Sequence, residues 1–270
     1  MRFINIIDNF RKNILVIKYR VFISSFIMYI GLVYLAKVSV NTFPADIKVS
    51  IFDMLCDVYK ESGIVGSYRY VFPIIPVFSF VLISILDVDN ETMCIVRYKS
   101  KKSIWNKQVL YTIYLSLIYS IFIVLGGYLI SGILIGSFDN RWIHTDGSIY
   151  KMLEKTKSWN EISYKFATYK IIVFTFISNF LGLCAIGLSI CVFKIFLKNQ
   201  YVYMILIISL FTAVLFPYGS IELKQMIINL ENWINTVNII KNDMYLIWIT
   251  FMFYIIGNWA IEQKDIINKI

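Results

Sequence analysis

The sequence predicts an all-α integral membrane protein with six transmembrane helices, an N-terminal interfacial helix and amphipathic outer helices. Six apolar stretches are each long enough to cross the hydrocarbon core as a helix, which takes about 20 residues. The composition is 59% hydrophobic with a mean hydropathy of +0.69, whereas soluble domains are roughly 45–50% apolar. The basic residues are distributed unevenly over the connections between these stretches.

The whole chain, residues 1–270, is predicted to form a single transmembrane domain. The predicted spans are 20–38, 69–86, 108–136, 169–193, 201–217 and 244–260. An even number of spans puts both termini on one side, and that side carries 14 of the 26 basic residues but only 6 of the 17 acidic ones. By the positive-inside rule we expect both termini in the cytoplasm. The bias toward Ile, Lys, Asn, Tyr and Phe is typical of AT-rich bacterial genomes, so we expect a bacterial cell membrane.

The N-terminal segment has the pattern of a helix that lies in the membrane interface. Its apolar residues recur at steps of three and four, and basic residues occupy other positions. These apolar residues are Phe3, Ile6, Ile7, Phe10, Ile14 and Ile17. Two interpretations stay open: a basic anchor that only sets topology, or a collar helix that braces the first span and contacts a cytoplasmic partner.

The connection 87–107 between the second and third spans contains its own helix signals. Asp89 or Asn90 can cap a helix start, and Glu91 lies in its first turn. Ser103 can cap the helix that becomes the third span, and Trp105 lies where an aromatic belt is expected.

Met93, Val96 and Arg97 fall on one side of this short helix. An apolar face outside the bilayer has no core to fill, so it is a candidate docking surface for another protein. The alternative is a basic loop that obeys the positive-inside rule and lies among the headgroups.

The string ETMCIVRYKSKKSIW, from Glu91 to Trp105, resembles the corresponding loop of ABC-2 type transporter permeases of Gram-positive bacteria. Those loops often have an arginine, an aromatic residue, a small residue, one or two bases and then a tryptophan. The motif covers residues 89–107, and the layout of spans is similar over most of the chain. The resemblance implies a coupling helix that sits on a separate ATPase subunit, with Trp105 as an interfacial anchor. The docking residues it implies are Glu91, Met93, Val96, Arg97 and Tyr98.

The segment 220–240 has nearly ideal amphipathic spacing over four turns, and Ser220 and Glu222 suit its start. Its apolar residues are Leu223, Met226, Ile227, Leu230, Trp233, Ile234 and Val237. The resemblance implies a short helical hairpin or re-entrant segment here, at the external end of the pathway. A weaker amphipathic pattern is formed by Phe52, Leu55, Val58 and Tyr59. The alternative for these segments is an interfacial helix with no role in transport.

The spans contain few polar residues, of which Asn179 is the main exception, and this argues against a proton- or ion-coupled carrier. Small residues form stripes that favour helix packing. The stripe in the fourth span is Ser178, Gly182, Ala185 and Ser189, and the one in the third is Ser116, Ser120, Gly127 and Ser131. Pro73 and Pro76 should kink the second span.

No enzymatic motif is found. His144 is the only histidine, and the HExxH, GxSxG and GxxxxGK[ST] patterns are absent. No pair of the four cysteines has the spacing of metal ligands. We therefore expect no catalysis, no metal and no cofactor on this chain. The basic residues are spread over short segments of a membrane protein, so we expect no nucleic-acid partner.

Two functions are consistent with these features. The first is the membrane-spanning subunit of an ATP-driven exporter, whose partners are an ABC ATPase subunit, a second copy or a related permease, and the lipid bilayer. A peptide such as a bacteriocin or lantibiotic is the substrate that the family suggests. The second is a non-transporting immunity or scaffold protein that binds partners through its outer helices.

Overall fold

The computed structural model describes residues 11–12, 14–40, 48–56, 70–89, 100–153, 159–215 and 225–263, and these residues form helices and turns with no strand. The α-helices are α1 (Lys18–Val40), α2 (Ile51–Leu55), α3 (Ile75–Asp89), α4 (Lys101–Ile135), α5 (Ser148–Met152), α6 (Trp159–Ser163), α7 (Thr168–Phe196), α8 (Asn199–Leu215), α9 (Leu230–Ile234) and α10 (Thr236–Gln263). A π-helical turn spans Tyr70–Ile74, and 3₁₀ turns span Arg141–Ile143 and Tyr164–Phe166.

Four of these helices are long and apolar enough to cross a membrane: α1 over Lys18–Val38, α4, α7 and α10. They coincide with the first, third, fourth and sixth predicted spans, so the all-helical class is confirmed for the described residues, and these four spans have the length and composition of membrane helices. The second and fifth predicted spans coincide with shorter apolar helices, Phe72–Val88 and Asn199–Thr212.

Two of the long helices begin well before the apolar runs that marked them. Helix α4 starts at Lys101 because the Ser100 side chain accepts a hydrogen bond from the Ser103 backbone N–H (3.3 Å). The expected cap at Ser103 is therefore wrong, and Ser100 is the cap. Helix α10 starts at Thr236, eight residues before the predicted boundary at 244, so polar residues that were placed outside the span belong to the helix.

The predicted kink at the two prolines of the second span coincides with a π-helical turn. Pro73 lies inside this turn, Tyr70–Ile74, where the missing N–H and the ring disturb regular hydrogen bonding. Pro76 is the second residue of α3, which follows the π-helical turn directly.

Helix α7 is the centre of the bundle, because it packs against α10 and α4 most extensively and also against α3 and α8. Helix α1 packs against α3, α4 and the π-helical turn. The outward faces of α1, α4, α8 and α10 are apolar, which suits contact with hydrocarbon. Their most exposed large side chains include Phe22, Phe26, Leu125, Ile133, Ile207, Phe211, Trp248 and Phe251.

The bundle has two distinct ends. At one, which we call the loop end, α3 stops at Asp89 and α4 starts at Lys101, on either side of residues 90–99. At the other end, residues 48–56, 137–153, 159–167 and 229–235 pack together, and we call this set the cap. The apolar residues Phe3 to Phe10 of the predicted interfacial helix lie outside the described residues, whereas Ile17 is buried against the bundle.

Candidate functional site

The loop end is the region that the sequence marked for partner docking. The implied docking residues Glu91, Met93, Val96, Arg97 and Tyr98 lie outside the described residues. The structure instead describes the two helix ends that hold them. We call residues 83–89 the first stem and residues 100–106 the second stem.

The first stem is fixed to the junction of α7 and α8 by one carboxylate. Lys194 Nζ lies 2.6 Å from Asp87 Oδ1 and also donates to the Ile83 carbonyl oxygen (2.9 Å). Asn199 Nδ2 donates to Asp87 Oδ2 (2.8 Å). The Lys194 side chain is only 9% exposed, whereas the Asp87 side chain is 46% exposed, so water reaches the carboxylate side of this ion pair. A displacement of this stem therefore acts on α7 and α8.

The second stem is fixed to the C-terminal part of α10. Lys101 Nζ donates to the Glu262 carbonyl oxygen (3.0 Å), and Tyr254 Oη donates to Asn106 Oδ1 (3.2 Å). Trp105 is fully buried next to Tyr254, with ring centroids 6.4 Å apart.

Trp105 therefore does not lie in a lipid-facing aromatic belt, as its position in the sequence suggested. A Cβ atom built on Gly257 would lie 2.1 Å from the Trp105 ring. The absence of a side chain at Gly257 thus creates the space that the indole fills. This contact between distant residues could not be recognised from hydropathy.

The predicted packing stripe on α7 divides into different roles. Ser178 Oγ donates to Asp243 Oδ1 of α10 (2.7 Å), and Gly182 faces Met226. Ala185 is fully buried, whereas Ser189 is partly exposed and bonds back to the Ile186 carbonyl of its own helix (2.7 Å). Helix packing is thus the role of the first three positions, and Ser189 is satisfied locally.

Met226 shows that the chain before α10 enters the bundle. Gly182 is fourteen residues from the start of α7, about 21 Å along the helix at 1.5 Å per residue. The fully buried Met226 side chain contacts it there. Trp233 contacts Phe174, much nearer the start of α7 (centroids 6.3 Å apart). Residues 226–233 therefore run from the middle of the bundle toward the cap.

The amphipathic pattern over 220–240 does not form one helix in its described part. Residues 227–229 are not helical, and α9 ends at Ile234, with Asn235 as its C-cap, before α10 begins. Asn229 caps α9 through its side chain, which accepts from the Asn232 backbone N–H (3.0 Å). The asparagines at both borders interrupt the pattern of apolar residues that hydropathy alone joins together.

The cap is organised around Asp53, a residue that the sequence analysis did not single out. Its carboxylate is fully buried and accepts from the Ser50 backbone N–H (2.7 Å), Trp142 Nε1 (2.7 Å) and Ser148 Oγ (2.5 Å). Burial raises the pKa of Asp53 from 3.8 to about 6, and the hydrogen bonds from Ser148, Ser50 and Trp142 oppose that rise. The spacing of Ser50 and Asp53, which forms a capping box, is the sequence signal that could have revealed it.

An aromatic cluster surrounds this carboxylate. Trp142 lies at the centre, with ring centroids 5.6 Å from Phe52, 5.9 Å from Phe166 and 6.3 Å from Trp233. Such pairs contribute about 0.5–1.5 kcal/mol each beyond the area they bury. The cluster joins α2, the 3₁₀ turns and α9 into one layer over the ends of α4 and α7. The described part of the weaker amphipathic pattern, around Phe52 and Leu55, forms the short helix α2, but all five residues of α2 are buried, so no amphipathic outer face is seen there. Val58 and Tyr59 lie outside the described residues.

The described residues contain no group of three or more His, Cys, Asp or Glu side chains that could hold a metal ion. His144 is exposed and follows the 3₁₀ turn Arg141–Ile143, which agrees with its interpretation as a solvated loop residue. Comparison of the chain with protein-family models, curated proteins and solved structures finds no match.

Proposed function

We propose that this chain is the membrane-spanning subunit of an ATP-driven transporter. In this proposal it has six spans, both termini in the cytoplasm of a bacterial cell, and no catalytic site of its own. A separate ABC ATPase subunit docks on residues 89–105, and a second copy or a related permease completes the pathway. The observation that carries the proposal is that the two stems of this loop are attached to different helices.

The attachment of the stems suggests how work would reach the bundle. Lys194 and Asn199 link Asp87 to the end of α7 and the start of α8. Lys101 and Trp105 link the second stem to α10. A push on residues 90–99 would therefore move α7 and α10 through separate contacts. Because these helices share the largest interface of the bundle, their relative shift would change the arrangement beneath the cap.

The substrate that we propose is a peptide or another amphipathic molecule, exported from the cell. This rests on the resemblance of the coupling loop and on family analogy alone. The exposed apolar faces of the helices would serve lipid contact and association with the second permease.

The docking assignment is tested by co-purification of the chain with an ATPase subunit from host membranes. The variants Arg97→Glu and Val96→Glu should abolish recovery of the ATPase while the permease remains in the membrane. The matched control is Lys241→Glu, which reverses an exposed charge on α10 close to the cap. A complex that survives both loop substitutions would remove the docking assignment.

A second function is favoured by the cap, whose buried Asp53 and packed aromatic residues form an ordered layer that a simple connection between spans does not need. A non-transporting immunity or scaffold protein would use this layer to bind a partner. The discriminating measurement is the cellular phenotype after deletion of the ATPase subunit. Loss of the phenotype supports transport, and an intact phenotype supports the scaffold function.

A further inference from the structure

Asp243 lies in a place where membrane helices rarely carry a charge. It is the eighth residue of α10, about 10 Å along the helix from its start. The residue is 9% exposed, and Ser178 of α7 donates a hydrogen bond from its Oγ to Asp243 Oδ1 (2.7 Å). Ionisable residues inside membrane helices are expensive, and they commonly serve a function.

No basic side chain among the described residues compensates this carboxylate, since none forms an ion pair with it. Helices α7, α4 and α9 pack against α10. The charged residues that these three helices carry are Lys170, Lys194, Lys101, Lys102, Lys107 and Glu231.

Most of these lysines have other contacts. Lys170 donates to the Tyr164 carbonyl and Lys194 to Asp87. Lys101 donates to the Glu262 carbonyl, and Lys107 lies over the Tyr111 ring. On α10 itself Lys241 is exposed.

The thiols of α7 cannot supply a counter-charge, because a thiol is neutral and a thiolate is negative. An ionised carboxylate enclosed by helices is strongly disfavoured unless a cation or a proton neutralises it. The described groups supply no cation, so a proton is the neutralising species that the geometry favours.

The surroundings provide a way for the site to open. Ser178 and Gly182 are four residues apart and therefore lie on one face of α7. Ser178 contacts Asp243, and Gly182 contacts Met226 of the segment 226–233. Residues 227–229, which follow Met226, are not helical, so this segment is held by the burial of Met226 and Ile228 and not by a regular helix. Movement of this segment would admit water between α7 and α10 close to Asp243.

We propose that Asp243 is a proton-binding site of the membrane bundle. While α7 and α10 are packed, a proton taken from water forms an O–H bond on the carboxyl group, and Ser178 hydrogen-bonds to it. When the helices separate and water enters, this O–H bond breaks, the proton returns to water and the carboxylate keeps the electron pair. The proposal goes beyond ATPase docking and does not depend on it.

The test is infrared difference spectroscopy of the purified full chain in lipid nanodiscs, with ¹³C-labelled aspartate to assign the bands. The wild type minus Asp243→Asn spectrum should contain the C=O stretch of a protonated aspartic acid at pH 7. The variant Asp53→Asn, which removes the other buried described carboxyl group, should retain this band. Absence of the band at pH 7 from the Asp243 difference spectrum overturns the proposal.

Two variants that keep the carboxyl group make the result independent of the folding of Asp243→Asn. In Ser178→Ala the band should persist and move to the frequency of a carboxyl group with a weaker hydrogen bond, and an unchanged frequency would contradict the assignment. In Gly182→Ala the new Cβ displaces Met226. After transfer to D₂O, the carboxyl proton of Asp243 should exchange for deuterium at least several-fold faster than in the wild type, as followed by the isotope shift of the band. An equal exchange rate would contradict the opening route through residues 226–229.

Discussion

The substitution Asp53→Asn tests whether a single buried carboxylate holds the cap together. In the wild type, one oxygen accepts from Trp142 and Ser148 and the other from the Ser50 backbone N–H. An asparagine oxygen can replace the first oxygen, but its NH₂ group then faces the Ser50 N–H. One buried donor loses its acceptor, which costs about 1–3 kcal/mol.

The effect depends on pH with a defined sign. The pKa of Asp53 is raised by burial from 3.8 to about 6, so the folded cap binds the proton more tightly than the unfolded chain does. Its contribution to stability is complete below pH 4 and is lost as the pH rises through about 6. A pKa shift contributes 1.36 kcal/mol per pKa unit, so the shift from 3.8 to about 6 gives a loss of about 3 kcal/mol between pH 4 and pH 8.

Hydrogen–deuterium exchange of cap peptides that contain residues 48–56 and 140–148 measures this loss locally. After correction for the intrinsic pH dependence of exchange, wild-type protection should fall about 10²-fold from pH 4 to pH 8, the equivalent of about 3 kcal/mol. The variant Asp53→Asn should be less protected at pH 4 and should show no such fall, because it has no proton to lose.

Asp139→Asn is the matched control, since it makes the same chemical change at a residue whose side chain is 61% exposed in the same segment. In this variant, the hydrogen-exchange protection of the cap peptides should depend on pH as in the wild type. An equal fall in protection for the wild type and Asp53→Asn would refute the role of this carboxylate.

Three further predictions follow from close contacts. Gly257→Ala places a Cβ 2.1 Å from the buried Trp105 ring and should destabilise the protein by about 1–3 kcal/mol, which is measured as a lower midpoint of thermal unfolding. The control Gly126→Ala, whose Cβ lies 3.5 Å from Tyr29, should leave this midpoint unchanged. Asp87→Asn removes the anionic partner of Lys194 and should leave ATPase binding intact but reduce ATP hydrolysis by the complex; undiminished hydrolysis would contradict the role of the first stem. In a background without the native cysteines, the thiol of Met226→Cys should react slowly with a thiol reagent, and the additional substitution Gly182→Ala should speed this reaction. Equal reaction rates with and without Gly182→Ala would contradict the contact between Gly182 and Met226.

The sequence predicts the long helices because their apolar composition is a local property. It does not predict their starts, because a helix continues beyond the apolar run wherever a cap and side-chain contacts support it. Helix α10 is the important case: its apolar run begins near 244, but the helix begins at Thr236. A span boundary taken from the apolar run therefore leaves Asp243 outside the span, and the predicted span is almost free of charge.

In the cap, too, the local contacts can be predicted from the sequence, whereas the contacts between distant residues cannot. The capping box of Ser50 and Asp53 is visible as a spacing of three residues, so the short helix α2 could be recognised. The partners of Asp53 come from Trp142 and Ser148, 89 and 95 residues away. No periodicity reports such a contact, because it is decided by how α2 packs on α4.

Helices α7 and α10 connect the two ends of the bundle. At the loop end, the stems hold α7 through Lys194 and α10 through Trp105. At the cap, the Trp233 ring packs against Phe174 of α7 just before α10 begins. Between these ends, the only described hydrogen bond of the Asp243 side chain crosses the α7–α10 interface. Tightly packed interfaces rearrange between discrete states rather than deform gradually. A force on either stem would therefore separate α7 from α10 at this interface, and in our proposal the proton of Asp243 would then be exposed to water.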